Sequence, residues 1–401
     1  MNRRRFLASS ASSLAAAGWA GSSLSSVSGA EPAGQWKVAV IGHTGRGNYG
    51  HGIDTMWLDM PETTIVAVAD PDDAGRAKAV EKLKAGRDFA DYRKMLDEIK
   101  PDLVAIGPRH LDQHRDMVVA AAAAGAKGIY MEKPFCRSLA EADEMVAACA
   151  KSNTKLAVAH RNRYHPVMPV VAQMVTDGAI GRLLEIRARG KEDQRGGSLD
   201  LWVLGSHLMN LMHFFGGQPR ACSGTVLQDG RPVTKADVKE GDEGTGPLAG
   251  NEVHARWEME RGFPVFFDSI QGAGNASAGF GLQLIGTEGI IDARTDKEPA
   301  AQLLAGSPFR PGADPRAWVP ITSAGLGKPE PIADIRLQVA GHVAPGRDLI
   351  AAIREDRQPL CGAEDGRITV EMILSVFESH RQGGARVEIP LKNRENPLGM
   401  L

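Results

Sequence analysis

From Trp36 onward the chain alternates short apolar runs with amphipathic stretches. "WKVAVIG", "TTIVAVAD", "DLVAIGP", "GIYMEKP" and "KLAVAH" are the runs. Between them lie "AGRAKAVEKLKAG", "ADYRKMLDEIK", "DQHRDMVVAAAAAG" and "LAEADEMVAACAKS", whose apolar positions recur with helical period. Strands without polar alternation are buried on both faces, so this rhythm predicts a doubly wound parallel sheet over residues 35–160. A further helix is predicted between the first two strands, ending near Met60.

After about residue 165 the period changes. A helix in "PVVAQMVTDGAIG", the strand "LLEIRARG" and a strongly apolar helix from about Leu199 to Phe215 come first. Alternating segments follow: "NEVHARWEME", "FPVFFDSIQ", "FGLQLIG" and "EGIIDAR". Polar–apolar alternation marks strands with one wet face, which predicts a second, α+β domain over 161–401 with a large, mostly antiparallel sheet. The Pro-, Gly- and Ala-rich stretch 296–345 reads as surface loops.

The first 30 residues break the pattern. Arg3, Arg4 and Arg5 precede Phe6-Leu7, a weakly apolar Ala/Ser/Leu stretch follows, and Ser28-Gly29-Ala30 supplies small residues for cleavage. This layout predicts an export signal of the twin-arginine type, hence passage through the twin-arginine translocase to a periplasmic or cell-envelope location. Losing residues 1–30 would remove three arginines and no acid, leaving 44 basic against 49 acidic residues, a formal net charge of −5. No block of like charge points to nucleic acid, and no apolar run beyond the leader is long enough for a bilayer. Cys136, Cys149, Cys222 and Cys361 are widely spaced, with no C-x-x-C and no histidine grouping for zinc, so no metal site is expected and the thiols are read as unpaired, with a single bridge as the alternative.

Candidate chemistry collects at the ends of the predicted parallel strands. Gly42, Thr44, Gly45, Arg46 and Gly47 follow the first strand. Glycine there lets the backbone approach a pyrophosphate, although a strict G-x-G-x-x-G would need glycine where Thr44 stands. Asp70 ends the second strand, where a carboxylate can accept from both adenosine ribose hydroxyls and repel a 2′-phosphate. Together they predict a bound dinucleotide, NAD rather than NADP. The run "GIYMEKPF" is stranger, since an apolar strand ends in Glu132-Lys133-Pro134. Read alone, it is a strand exit into solvent.

In order, "GHTGRG", "AVADPD", "AIGPRHLDQH", "GIYMEKPF" and "RNRYHP", with the C-terminal "LIAAIREDRQPLCGAEDGRITVEMILSVFESHRQGGARVEIPL", resemble the Gfo/Idh/MocA oxidoreductase family over nearly the whole chain after the leader. The resemblance implies a Rossmann-type first domain that binds NAD. It also implies that Lys133 reaches the substrate hydroxyl at the carbon losing hydride, and that Glu132 bonds on the nicotinamide side. Pro134 would set the direction of Lys133, for which a cis Lys133–Pro134 bond is one means, and Pro108 and His114 would line the cofactor cleft. Relatives commonly carry an aspartate four residues before a histidine on the second-domain helix; here Val203 stands four before His207, and Asp200 seven before. Seven residues on one helix return to nearly the same face, so Asp200 is a candidate stand-in or, alternatively, a helix cap. His207 is a candidate acid/base or substrate-binding group, and Arg163 matches a recurrent arginine that either contacts substrate or packs. The polar loop "GKEDQRGG", with Lys191, Glu192, Asp193, Gln194 and Arg195, is read as solvated, with contact to sugar hydroxyls as the alternative.

The reading that follows is an exported NAD-dependent oxidoreductase with tightly held cofactor, acting on a sugar, sugar derivative or cyclitol, and forming a homo-oligomer. Two others stay open. One is glycoside cleavage through transient oxidation and elimination; the other is a non-catalytic sugar-binding or partner protein that keeps the fold.

Overall fold

The structure is a computed structural model that describes residues 35–274, 279–310 and 315–401. The export signal read in residues 1–30 lies outside the described residues. Residues 35–401 form one compact unit.

Its first layer is a six-stranded parallel sheet. The strands are β1 (Trp36–Ile41), β2 (Thr63–Ala69), β3 (Arg87–Phe89), β4 (Leu103–Ile106), β5 (Gly128–Met131) and β6 (Lys155–Val158), in the order β3-β2-β1-β4-β5-β6. Every residue of β4, β5 and β6 is buried, which is why these segments read as unbroken apolar runs. Helices α1 (Asp73–Leu83), α2 (Tyr92–Ile99), α3 (His114–Ala123) and α4 (Leu139–Ser152) connect them. Asp72, Asp91 and Ser138 cap α1, α2 and α4 by accepting from Gly75, Arg93 and Glu141 N–H groups. Strand order reverses between β1 and β4, and in such sheets the ligand crevice opens beyond the carboxyl ends at that point.

The helix predicted between β1 and β2 is absent. Turns fill residues 44–55, and one 3-10 turn, Met56–Asp59, follows. Gly45, Gly47, Asn48, Gly50 and Gly52 all have positive φ, and a chain that keeps returning to the left-handed region cannot propagate a right-handed helix. Ile53, Met56, Trp57 and Met60 instead bury against Val343, Leu349 and Ile350.

The second layer is a mixed sheet of eleven strands. Its central members, Gly281–Gly286, Leu183–Arg189, Pro264–Ile270, Glu252–Met259 and Pro219–Gln228, lie side by side in that order. Only Leu183–Arg189 with Pro264–Ile270 is a parallel pair. Val253, Ala255, Trp257 and Met259 are buried, Met259 beside Gly216 of α7 (Gly205–Gly216), while α10 (Ala363–Arg381) packs on the neighbouring strand Pro219–Gln228. Trp257 donates its ring N–H to Ser375 Oγ at 3.0 Å, fixing α10 on the sheet. Helices α5 (Val167–Thr176) and α6 (Ser198–Val203) also pack on this sheet, α5 on Val319–Thr322 and α6 on Glu252–Met259 and Pro264–Ile270.

Three features differ from the sequence reading. Residues 296–345 are not only loops: Ala301–Ala305, Val319–Thr322 and Gly325–Leu326 extend the large sheet, and Ile335–Val339 is the short helix α8. The apolar helix from Leu199 breaks at Leu204 into α6 and α7. Helix α9 (Val343–Arg354) returns from the second domain to pack on β5 and β6, so the boundary at residue 160 is crossed later by the chain. Among the described residues no helix is long and apolar enough to cross a membrane.

Candidate active site

The carboxyl edge of the parallel sheet carries the candidate residues. Gly42 leaves β1, and a Cβ there would collide with the Tyr49 ring; one on Gly47, at φ +90°, would collide with the Arg109 backbone. The loop is thus folded back tightly on the β4 end. Asp70, at the end of β2, is wholly buried. It accepts from Thr44 N–H at 3.0 and 3.1 Å, from Thr44 Oγ1 at 2.7 Å and from Asp72 N–H at 2.9 Å. Those bonds occupy most of the lone pairs of a carboxylate. Asp70 also anchors the glycine loop through Thr44, the residue that departs from the glycine pattern.

Beside this loop lies a cavity of about 310 Å³, lined by Gly42, Asp70, Tyr92, Arg93, Gln113 and Met117 among others. Arg46 forms an ion pair with Asp112 at its rim. The cavity has the polarity and place of an adenosine pocket. The residues present fit a dinucleotide there, with one difference: the pyrophosphate would meet loop N–H groups, not an α-helix N-terminus.

Glu132 and Lys133 follow β5, and the Lys133–Pro134 bond is cis. The Glu132 carboxylate is buried and bonded to His51 Nδ1, with the Lys133 N–H at 3.2 Å from its other oxygen. Burial would raise its pKa, but the His51 bond and the Lys133 charge outweigh it and hold the group at about 2. Lys133 is 6% exposed and donates from Nζ to the Val203 carbonyl at 2.9 Å. The break in the helix creates that acceptor. In a continuous helix Val203 O would take His207 N–H; instead His207 N–H turns to Leu204 O at 3.1 Å. The freed carbonyl, at a helix C-terminus, suits an ammonium. Burial pushes the Lys133 pKa below its ordinary value; the Glu132 and Glu243 charges oppose this, while Arg195 and Arg161 add to it.

His207 stands partly exposed on α7, its Nδ1 buried without a partner, its ring 5.3 Å from that of His160. Burial, then the positive charge of Lys133, holds its pKa well below the usual value. Asp200 does not share its face. Because α6 ends before α7 begins, the Asp200 carboxylate turns the other way, accepting from Ser269 Oγ at 2.6 Å and Glu192 N–H at 3.0 Å. The loop 190–197 is accordingly not a solvated one. Glu192 is 5% exposed, bonded twice by Arg189 and once by Ile270 N–H. Its neighbours Gln194 and Arg195 line a polar cavity of about 630 Å³.

Two further residues have structural surroundings. Arg163 lies 4.3 Å over the Phe214 ring and 3.6 Å from Asp365, which is the packing alternative. His114 is wholly buried, with Nε2 2.7 Å from Pro108 O and Nδ1 2.9 Å from Pro134 O. It ties the β4 and β5 exits together rather than lining the cleft, which corrects that expectation. All four cysteines are buried and free.

Residues 36–160 match the family model GFO_IDH_MocA, described as "Oxidoreductase family, NAD-binding Rossmann fold". Among curated proteins, the D-apiose dehydrogenase of Paraburkholderia graminis is 36% identical over 130 residues, 31% of this chain and 33% of that protein. The levoglucosan dehydrogenase of Pseudarthrobacter phenanthrenivorans is 25% identical over 257 residues, 58% of this chain and 65% of that protein. The chain thus spans a third to just under two thirds of these relatives. Among solved structures, a levoglucosan dehydrogenase in complex with NADH and levoglucosan superposes with a TM-score of 0.70 at 20% identity, over 89% of this chain and 99% of that one. An NAD binding oxidoreductase from Klebsiella pneumoniae gives 0.67 at 20% identity, over 90% and 100%. These establish the fold beyond residue 160.

Around this site, sequence reasoning missed His51, His160 and Arg161. His51 reaches Glu132 across 81 residues of chain, a pairing no local pattern signals. His160 closes "KLAVAH" and Arg161 opens "RNRYHP", and no local pattern in either stretch sets them apart from their neighbours.

Proposed function

We propose that this protein is an NAD-dependent oxidoreductase acting on a sugar, sugar derivative or cyclitol, with Lys133 as its proton-handling residue. The observation that carries this is a buried lysine at the crevice edge, held by one main-chain bond and shifted toward easier deprotonation. Bound NAD would supply the hydride acceptor. Lys133 Nζ would take the proton of the substrate hydroxyl at the carbon that gives up hydride, and His207 would bond a neighbouring hydroxyl. Gly42, Gly45, Arg46, Gly47 and Pro108 would cradle the cofactor, with Thr44 and Asp70 fixing the loop that does so. The dehydrogenases of D-apiose and levoglucosan support a carbohydrate substrate. Incubating the purified protein with NAD and a panel that includes both sugars tests the reading. Reduced nicotinamide should accumulate with at least one polyol of the panel. Bond cleavage without reduced cofactor would favour the glycoside-cleaving alternative, and neither change would overturn enzymatic function on this panel.

We also propose export by the twin-arginine route, supported by the arginines at 3–5 and the small residues at 28–30. Arg3→Lys with Arg4→Lys should hold the protein in the cytoplasm with its leader uncleaved. Undiminished export of the double variant, followed by fractionation and immunoblotting, would overturn the assignment.

A further inference from the structure

His160 follows β6 and is fixed by its main chain, its N–H donating to Val158 O at 2.8 Å and its carbonyl accepting from Arg163 N–H at 2.9 Å. Its side chain is 1% exposed, yet neither ring nitrogen has a hydrogen-bond partner among the described residues. Buried polar atoms are nearly always paired, because each orphan forfeits its bonds to water. His160 thus carries two orphans, and the ring packed edge-to-face against it, at 5.3 Å and 85°, belongs to His207, whose Nδ1 is a third. The usual source of order for such a histidine is missing. Val203 stands where a carboxylate would be, Asp200 faces Ser269, and among the described residues no acid forms an ion pair with His207.

We propose that His160 is a positioning residue for His207, fixing its ring orientation and tautomer through edge-to-face contact and a hydrogen-bonded link through one water between their unpartnered nitrogens. The proposal rests on the site described under the proposed function, where His207 meets substrate. Two neutral rings can pair in this way, since one nitrogen of each donates and the other accepts. Burial and the Lys133 charge, which push the His160 pKa down to about 3, keep that ring neutral. A neutral partner, unlike a carboxylate, fixes His207 without making it a stronger base, which leaves the proton transfer to Lys133.

Long-range proton–nitrogen spectra of protein labelled with ¹⁵N-histidine read this directly, with His207 assigned by the signals that vanish in His207→Gln. In the wild type His207 should show the separated nitrogen signals of one tautomer. In His160→Phe these should collapse toward the averaged position, with NAD binding by equilibrium dialysis unchanged. Signals unmoved in His160→Phe, or already averaged in the wild type, would overturn the proposal. Should the phenylalanine variant fail to fold, His160→Gln, which keeps one donor and one acceptor, is read the same way and should move the signals only part of the distance. With a substrate in hand, the loss of turnover in His160→Phe should disappear in a His207→Gln background; equal losses in both backgrounds would also overturn it. Because the spectra need no substrate, they stand or fall separately from the oxidoreductase reading.

Discussion

Lys133→Met should lower turnover by about 10²–10⁴-fold or more, the usual contribution of a positioned acid or base, while NAD remains bound. Methionine keeps most of the side-chain volume, so the buried site is not emptied. It removes the donor to Val203 O and, with it, the ammonium that follows β5. The adenosine-side cavity is lined by other residues and does not include Lys133. Steady-state kinetics with the best substrate of the panel, beside equilibrium dialysis with NAD, separates the two properties. Turnover within a factor of a few of wild type would remove Lys133 from the chemistry. Loss of NAD binding together with turnover would show that the residue builds the cofactor site instead.

Asp200→Ala should destabilise the fold by about 3 kcal/mol or more, since hydrogen bonds to a charged acceptor contribute roughly 1.5–3 kcal/mol each. The variant strands the Ser269 hydroxyl and the Glu192 N–H, both at the junction of α6 with the loop 190–197. Asp200→Asn should cost much less. Both bonds end on one oxygen, which an amide can supply, and the other oxygen has no partner to lose. Burial raises the pKa of this carboxyl, against the pull of Ser269 and Glu192, so a neutral group is tolerated there. Urea unfolding at neutral pH checks both variants. An alanine variant as stable as wild type would refute the anchoring role. An asparagine variant with intact stability and lost turnover would return Asp200 to the chemistry, as its spacing from His207 first suggested.

The parallel layer was legible because burial on both faces writes itself into the sequence: β4, β5 and β6 have no polar position to confuse with another element. The alternation of Glu252–Met259 was legible for the opposite reason, one wet face. Strands at 301–326 were not, because they are short, flanked by Gly and Pro, and defined only by partners across the sheet. The break at Leu204 was hidden in "DLWVLGSHLMNL", where every residue but Gly205 tolerates a helix and apolar period continues through the kink. That single misreading carried Asp200 onto the wrong face. The strand-end positions of Asp70 and Lys133 followed from the fold, but their bonds did not. Thr44 and Val203 become partners only when loops distant in the chain meet.

The kink between α6 and α7 has a consequence for how freely this protein can vary. Lys133 is oriented by a peptide oxygen, and every amino acid offers the same one. The identity of residue 203 is thereby released from duty toward the lysine, provided the chain still turns at Leu204. A change of side chain at 203 that keeps the bend would therefore leave the acceptor of Lys133 in place.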